Sequence, residues 1–245
     1  GSVWETKRGR LFVGAYGDGE LTLANSGTVS TQQVVIAYGS KSTAVLNIGA
    51  ALGSAPATAG TIDSPSVLFG DGAGRLVFNF AEESAVFAPS ILGPGSVHLA
   101  GNTLTLTGEN TYSGGTVIAP GKLVGKTGSL GPGPIGKDGN LIVDQAATGT
   151  YAGVVSGVGS LIKEGPGTLV LTGDSTYTGG TVIREGTLQL GDGGRTGSIV
   201  GDVVNDAALV FNRSDTYSFP GTITGSGSVR FIGGGRGLFA TPGAH

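Results

Sequence analysis

The sequence predicts an all-β protein folded as a parallel β-helix, and three observations carry that prediction. Glycine supplies 49 of the 245 residues, and each glycine inside a helix costs about 1 kcal/mol, which argues against a helical protein. Charged residues make up only 13%, which is too few for a disordered chain. The segment at residues 103–123 recurs almost unchanged at residues 168–188. Recurrence at a fixed period is typical of solenoids and argues against the runner-up fold, a β-sandwich or barrel.

The leading region contains short strand-like segments at a regular pitch. These segments are apolar or alternate apolar with polar residues, and they are residues 20–23, 34–37 and 44–48. The separation between Leu21 and Val45 is within the roughly 20 to 25 residues expected for one turn of a solenoid.

The repeats occupy residues 76–232. Residues 103–123 and 168–188 agree at 14 of 21 positions. A second element, an apolar strand followed by a glycine turn, occurs three times, and its turns begin at Gly93, Gly157 and Gly225. This region therefore holds two complete units of about 65 residues and the start of a third. Each unit is expected to contain three turns of roughly 20 to 25 residues.

No linker or change in composition divides the chain, which predicts a single continuous β-helix over residues 1–245. Gly1 and Ser2 are expected to be a cloning remnant, so that residues 1–10 are partly remnant or leader and the chain is an excised fragment. No run approaches the ~18 apolar residues of a membrane helix, and we expect no membrane insertion by this segment.

Composition also excludes several partners and cofactors. The net charge is −3 with lysine and arginine scattered, which argues against nucleic-acid binding. The chain has no cysteine, and its two histidines are His98 and the terminal His245. We therefore expect no metal and no cofactor. Asp71 and Asp192 lie in glycine loops and are interpreted as solvated turn residues rather than calcium ligands.

The candidate catalytic residues are better explained as structural ones, which favours a non-enzymatic protein. Ser175 resembles a hydrolase nucleophile, but Asn110 occupies its position in the other repeat copy, so a turn is the preferred interpretation. Asp174 aligns with Glu109, either as part of an acidic stripe or as a turn cap, and the cap is favoured. The nearest acidic pairs are Glu82 with Glu83, Asp202 with Asp206, and Asp18 with Glu20. A polysaccharide-cleaving β-helix enzyme remains the alternative.

One motif resembles a known family. It begins at Gly157 and includes Lys163 and Gly165-Pro166-Gly167, and residues 176–181 read Thr-Tyr-Thr-Gly-Gly-Thr. This pattern resembles the passenger-associated transport repeat of bacterial autotransporter (type V secretion) passengers, as does the copy at residues 103–123. In the copy that begins at Gly93, His98 and Ala100 stand where the lysine and glycine would be, and the copy at Gly225 departs as well.

The resemblance implies a right-handed parallel β-helix exported through an outer-membrane barrel that this chain lacks. It further implies an extracellular or cell-surface location and a role as adhesin, virulence factor or host-surface ligand, with the repeats supporting folding and export. Release from the surface as a secreted ligand of a host receptor is a further alternative. A host-surface protein, a glycan or another copy of the chain are the partners left open.

Two sets of residues follow from this interpretation. The first set stacks in the repeats as structural residues, with the tyrosines at a corner and their hydroxyls at the surface: Leu104, Leu106, Tyr112, Leu169, Leu171 and Tyr177. The second set lies in two loops, residues 50–65 and 191–201, that repeat least and are predicted to bind the partner: Ala55, Pro56, Thr58, Asp192, Arg195 and Thr196. Shortening these loops to two-residue turns is expected to leave the fold intact.

Overall fold

The computed structural model describes residues 2–6 and 9–239. Residues 1, 7 and 8 of the predicted remnant or leader lie outside the described residues, and so does His245. The described chain contains 29 strands and one turn of 3-10 helix, η1 (Thr127–Ser129). No helix in the described ranges is long and apolar enough to cross a membrane.

The chain divides into two compact units, residues 1–123 with 128–134, and residues 124–127 with 135–245. The first unit contains β1 (Val3–Glu5), β2 (Arg10–Val13), β3 (Gly19–Leu23), β4 (Thr28–Ser30), β5 (Gln33–Ile36), β6 (Thr43–Gly49), β7 (Thr61–Asp63), β8 (Ser66–Phe69), β9 (Ala73–Asn79), β10 (Ser84–Phe87), β11 (Ser90–Leu92), β12 (Ser96–Leu99), β13 (Thr103–Leu106) and β14 (Thr116–Ile118). β15 (Lys122–Gly125) includes the boundary between the units.

The strands of the first unit form parallel ladders in which consecutive turns of the chain lie side by side. The sheets run β1-β4-β7, β2-β5-β8-β11 and β3-β6-β9-β12-β14, and β10 pairs with β13. Turn length varies, because Val34 pairs with Val67 across a long turn, whereas Val97 pairs with Thr116 across a much shorter one. The expectation of roughly 20 to 25 residues per turn is therefore wrong for the turn from Val34 to Val67, which a longer corner lengthens.

The second unit contains β16 (Ile135–Lys137), β17 (Asn140–Asp144), β18 (Gly149–Tyr151), β19 (Val155–Ser156), β20 (Leu161–Glu164), β21 (Thr168–Leu171), β22 (Thr181–Ile183), β23 (Thr187–Leu190), β24 (Val203–Asn205), β25 (Ala208–Phe211), β26 (Thr216–Phe219), β27 (Ile223–Thr224), β28 (Ser228–Phe231) and β29 (Arg236–Phe239). Its sheets run β17-β20-β22-β24-β27 and β18-β21-β23-β25-β28, with β16 parallel to β19 and β26 parallel to β29. Leu161 pairs with Thr181, so the turn that contains the second repeat copy is again a short one.

Apolar side chains at alternate strand positions fill the interior of each unit. In the second unit Leu169 lies between Gly149 and Leu188, and Leu171 lies between Tyr151 and Leu190. These ladders join a residue to its counterpart on the next turn, which is how a solenoid stacks like on like. The predicted all-β parallel β-helix is confirmed, and the single continuous array over residues 1–245 stays a prediction.

Candidate functional site

The two repeat copies fold in the same way within their own units. In the first copy β12 pairs with β14, and Val97 lies opposite Thr116. In the second copy β20 pairs with β22, and Leu161 lies opposite Thr181. The repeat leucines are all buried, namely Leu104, Leu106, Leu169 and Leu171. Each copy therefore forms one turn of the solenoid, and its tyrosine lies at a corner of that turn.

The repeat tyrosines lie inside the protein. Tyr112 is 1% exposed and Tyr177 is fully buried. The Tyr112 hydroxyl lies 2.6 Å from Thr116 Oγ1, and the Tyr177 hydroxyl lies 2.7 Å from Thr181 Oγ1. Burial raises the pKa of Tyr112 to about 12 and also raises the pKa of Tyr177. The prediction of surface hydroxyls is wrong, because the threonine that begins the next strand provides an internal partner.

The glycine pair before each of these threonines has a backbone role. A Cβ on Gly114 would lie 2.5 Å from the Gly95 carbonyl oxygen, and one on Gly179 would lie 2.4 Å from the Gly159 oxygen. The glycine that follows has a positive φ in each copy, 86° at Gly115 and 80° at Gly180. The first glycine thus permits close approach to the preceding turn, and the second turns the chain into the next strand.

The residue that resembled a nucleophile is a buried corner polar group. Asn110 accepts a hydrogen bond from Ile91 N at 2.7 Å and donates to the Ser129 carbonyl oxygen at 2.6 Å. Ser175, at the same repeat position, accepts from Val155 N at 3.2 Å and is 1% exposed. Both side chains satisfy backbone groups on a neighbouring turn, which explains why Ser and Asn replace each other there.

Two lysines are buried in the second unit, a feature that was not predicted from the sequence. Lys163 Nζ donates to the carbonyl oxygens of Glu164 at 2.6 Å, Gly165 at 2.7 Å and Glu185 at 3.2 Å. Lys137 Nζ donates to the Gly159 carbonyl oxygen and lies 4.3 Å above the Tyr177 ring centroid. Burial lowers the pKa of Lys137 to about 8 and also lowers the pKa of Lys163. The signal in the sequence was a lysine at an inward position of a strand.

The structure shows that His98 does not take the place of the motif lysine, so the prediction that it does is wrong. In the two copies Leu99 pairs with Ile118, and Lys163 pairs with Ile183. Leu99 therefore takes the inward position of Lys163, whereas His98 is half-buried on the other face of β12. Burial and the charge of Arg75 lower the pKa of His98.

Asp174, Glu82 and Asp202 each accept a hydrogen bond from a backbone amide on a neighbouring turn. Asp174 accepts from Gly197 N at 3.1 Å and Ser198 Oγ at 2.7 Å. Glu82 accepts from Ala59 N, and Glu20 accepts from Asn47 Nδ2. Asp202 accepts from the backbone N and the hydroxyl of Thr222, both at 2.8 Å, and these bonds lower its pKa. Within residues 2–6 and 9–239, no group of three metal-ligating side chains is assembled.

One polar cavity of the first unit contains two carboxyl groups. Its volume is about 500 Å³, and its lining includes Glu5, Asp63 and the hydroxyl-bearing Ser30 and Thr31. Ser30 Oγ donates to Asp63 at 2.8 Å, and Thr31 Oγ1 donates to the Gly9 carbonyl oxygen at 2.8 Å. Ser30 lies between Glu5 and Asp63 in the β1-β4-β7 ladder, so the two acidic residues are two turns apart. The alternative of polysaccharide cleavage requires two carboxyl groups, which this cavity lining contains.

The first predicted binding loop, residues 50–65, presents Ala55, Pro56 and Thr58 to solvent. The Asn79 side chain fixes this loop, because its Nδ2 donates to the carbonyl oxygens of Ala51 at 2.8 Å and Ser54 at 3.0 Å. The stretch is not a loop throughout, since β7 lies within it and pairs with β4.

The second predicted binding loop, residues 191–201, presents Asp192, Arg195 and Thr196 to solvent. Beneath it, the buried Arg213 donates to the carbonyl oxygens of Gly197 at 3.1 Å and of Arg195. Arg213 also binds Asp215 at 2.9 and 3.0 Å and lies 4.6 Å from the Tyr217 ring centroid. A two-residue turn would remove the carbonyl partners of a buried cation, so we now expect shortening of this loop to destabilise the fold.

Comparison with known proteins matches these repeats to a family. Residues 93–124 and 161–190 match the passenger-associated-transport-repeat family. The chain is 40% identical over 151 residues to the adhesin BmaC autotransporter of Brucella suis biovar 1 (strain 1330), covering 52% of this chain and 4% of that protein. It is 39% identical over 123 residues to the uncharacterized lipoprotein YdeK of Escherichia coli (strain K12), covering 46% of this chain and 9% of that protein.

No solved structure matches the chain significantly. The parallel β-solenoid, the two matched repeats and the autotransporter relative agree with one another, although the chain spans less than a tenth of either relative. The chain therefore contains two passenger-associated transport repeats and is similar to part of an autotransporter.

Proposed function

We propose that this chain is a non-enzymatic, adhesin-like passenger segment that is displayed at the bacterial cell surface and contacts a host-surface protein or glycan. The observation that carries the proposal is the 40% identity over 151 residues to a protein named as an autotransporter adhesin. Because the chain corresponds to 4% of that protein, virulence, the host target and release from the surface belong to the proposal as well.

The two exposed loops support a binding role. Ala55, Pro56 and Thr58 in one unit and Asp192 and Arg195 in the other stand on loops that hydrogen bonds from Asn79 and Arg213 hold in place. A loop fixed before binding loses little conformational entropy when a partner arrives.

Latex beads coated with the chain provide the test. We expect the beads to attach to cultured host cells, and the triple variant Asp192→Ala/Arg195→Ala/Thr196→Ala to attach several-fold less. The Thr150→Ala variant, which alters an exposed strand position in the same unit, is the matched control. Attachment no greater than that of albumin-coated beads would contradict the adhesin proposal. Sedimentation velocity on the same samples distinguishes self-association from host binding.

We further propose that the repeats support export by folding outside the cell. Leu171 is buried between turns, so Leu171→Asp in the full-length parent should reduce the amount of passenger at the surface. Immunoblots of surface-exposed and periplasmic fractions measure this. Equal surface amounts for Leu171→Asp and for the exposed control Thr150→Asp would contradict an export role.

Polysaccharide cleavage is the second candidate, because Glu5 and Asp63 both line the polar cavity. Incubating the chain with a panel of polysaccharides and measuring new reducing ends or unsaturated products tests it. We expect no release of either kind. Release by the wild type that Glu5→Gln and Asp63→Asn both abolish would establish an enzyme instead.

A further inference from the structure

Three aromatic side chains cluster on the surface of the first unit. Phe12 lies beside Tyr38, with ring centroids 5.4 Å apart and planes at 83°. Tyr16 meets Tyr38 at 5.7 Å and 84°. The side chains are exposed by 43% for Phe12, 83% for Tyr16 and 42% for Tyr38. Rings that contact one another yet remain this exposed form a defined apolar patch rather than scattered surface residues.

The backbone beneath the patch is fixed. Tyr38 N donates to the Gly14 carbonyl oxygen at 3.1 Å, and Gly39 N donates to the Ala15 carbonyl oxygen at 2.9 Å. The buried Ser42 hydroxyl also donates to the Ala15 oxygen at 3.2 Å. These bonds join two successive turns, so the three rings are arranged before any ligand binds, which lowers the entropic cost of binding.

Strained backbone lies directly before Tyr38. Ala37 is fully buried and has a φ of 54°, a left-handed conformation that an L-residue with a Cβ adopts at a cost. The conformation turns the chain so that Tyr38 leaves the core and lies beside Phe12 and Tyr16. A bend of this kind is retained where the surrounding structure compensates for it.

Charged residues lie near the patch in sequence or on the next turn. Asp71 N donates to the Tyr38 carbonyl oxygen at 3.2 Å, which places Asp71 on the next turn beside the patch. Asp18 closely follows Tyr16 in sequence, Lys41 closely follows Tyr38, and all three charged residues are exposed. The patch therefore combines apolar ring surface with two phenol groups, and exposed carboxylate and ammonium residues lie near it along the chain or on the next turn.

The size and chemistry of the patch favour a sugar over a protein. At about 200 Å² per aromatic side chain, the exposed ring surface amounts to roughly 350 Å². A stable protein interface needs about 800 Å² per partner. A pyranose is small, has an apolar face of C–H groups and is rimmed with hydroxyls, so it matches rings bordered by hydrogen-bonding groups.

We propose that Phe12, Tyr16 and Tyr38 form a glycan-binding platform, in which a pyranose stacks on the open Tyr16 ring and its hydroxyls bond to the tyrosine hydroxyls and the Asp71 carboxylate. The proposal rests on the adhesin-like role above, since it names the class of partner. It adds a glycan-contacting surface to the two loops.

A microarray of defined oligosaccharides tests the platform with the whole chain, and titration of the strongest-binding oligosaccharide by isothermal calorimetry gives Kd. We expect Tyr16→Ala and Tyr38→Ala each to weaken binding roughly tenfold, and Tyr16→Phe to weaken it less because the ring remains. Trp4→Ala, which removes an exposed aromatic residue of the same unit outside the patch, should leave Kd unchanged. Circular dichroism and the unfolding midpoint establish that each variant is folded.

Absence of binding to every oligosaccharide, or an unchanged Kd in the folded Tyr16→Ala/Tyr38→Ala double variant, would overturn the proposal. Bead attachment to host cells separates it from the adhesin proposal. Attachment that survives periodate oxidation of cell-surface glycans but is lost with the double variant would show that the patch binds protein instead. Oligosaccharide binding that depends on Tyr16, without attachment to cells, would support the platform and contradict only the adhesin role.

Discussion

Lys137 is a basic residue whose side chain lies inside the protein. Its side chain is 1% exposed, and its amine binds the Gly159 carbonyl oxygen over the face of Tyr177. Carbonyl oxygens and an aromatic ring both attract a cation, yet they replace only part of the water that the ammonium group loses. The net result is a pKa lowered by burial to about 8.

This pKa predicts a pH-dependent stability. Between pH 8 and 10 the unfolded chain retains a proton that folded Lys137 has lost, so the free energy of unfolding should rise with pH over this window. Below pH 8 both states hold the proton and the contribution is constant. Urea unfolding of the wild type and of Lys137→Met at several pH values measures it.

The difference in stability between the wild type and Lys137→Met should therefore shift in favour of the wild type from pH 8 to 10. Lys122→Met, at an exposed position, is the control and should keep the wild-type profile. A difference between the wild type and Lys137→Met that stays constant with pH would show that Lys137 keeps its ordinary pKa.

In the transport repeat, glycines that shape the backbone stand next to a buried tyrosine–threonine pair. Gly179 lets the chain pass close to the preceding turn, and Gly180 turns it into the next strand. The next residue, Thr181, forms a hydrogen bond with the Tyr177 hydroxyl. The tyrosine at the corner is therefore bonded to the first residue of the strand that follows it. The first copy repeats this arrangement with Tyr112 and Thr116.

A double-mutant cycle tests this corner. Tyr177→Phe leaves the buried Thr181 hydroxyl without that partner and should lower the free energy of unfolding by about 1 kcal/mol. Tyr177→Phe/Thr181→Val should cost less than the sum of the two single changes, because neither hydroxyl is then left unpaired. Strict additivity in urea unfolding would show that the two groups do not interact, and Tyr16→Phe, at an exposed ring, controls for loss of a hydroxyl.

The loop of residues 191–201 is bound by the side chain of Arg213, which follows it in sequence. Arg213→Met removes the donor to the Gly197 and Arg195 carbonyl oxygens and leaves Asp215 without its bonded cation. We expect a stability loss of about 2 kcal/mol and several-fold faster cleavage by trypsin after the exposed Arg195.

Limited proteolysis with mass-spectrometric mapping identifies the cleavage site. Arg184→Met is the matched control, because Arg184 is an exposed arginine of the same unit paired with Glu164. Equal cleavage rates at Arg195 in the wild type and in Arg213→Met would show that the loop is held without Arg213.

Taken over its full length, each unit is stabilised by columns of side chains that run from turn to turn. In the second unit one column contains Tyr151, Leu171, Leu190, Phe211 and Phe231 in successive registers. The rings of Phe211 and Phe231 stack at 4.7 Å with planes 5° apart. Stability in such a fold is approximately a sum of contacts between neighbouring turns.

A charge in the middle of this column should destabilise the unit. Leu171→Asp places a carboxylate between Tyr151 and Leu190 and should cost about 3 to 5 kcal/mol of unfolding free energy. Thr150→Asp adds the same charge at an exposed position of β18 and should be nearly neutral. Equal chemical unfolding midpoints for the two variants would contradict the inward assignment of Leu171.

Local features of the chain are sufficient to predict the class of the fold. Strand positions follow from local alternation, as at Leu169 and Leu171, and turns follow from glycine, as at Gly179 and Gly180. The recurrence of residues 103–123 at 168–188 then requires the same local structure twice, which a solenoid provides. Because these features depend on neighbours in sequence, the all-β parallel architecture and the family of the repeats could be predicted.

The side chains that meet across turns, by contrast, became known only from the folded chain. Turn length differs between the early and the later turns, and no local pattern fixes it. The contact of Tyr38 with Phe12 and Tyr16 depends on the left-handed bend at Ala37, which the sequence does not indicate. The same holds for Lys163, whose carbonyl partners include Glu185 on the following turn. Binding surfaces and buried charges depend on these contacts between turns, whereas strands and corners depend on neighbours in sequence.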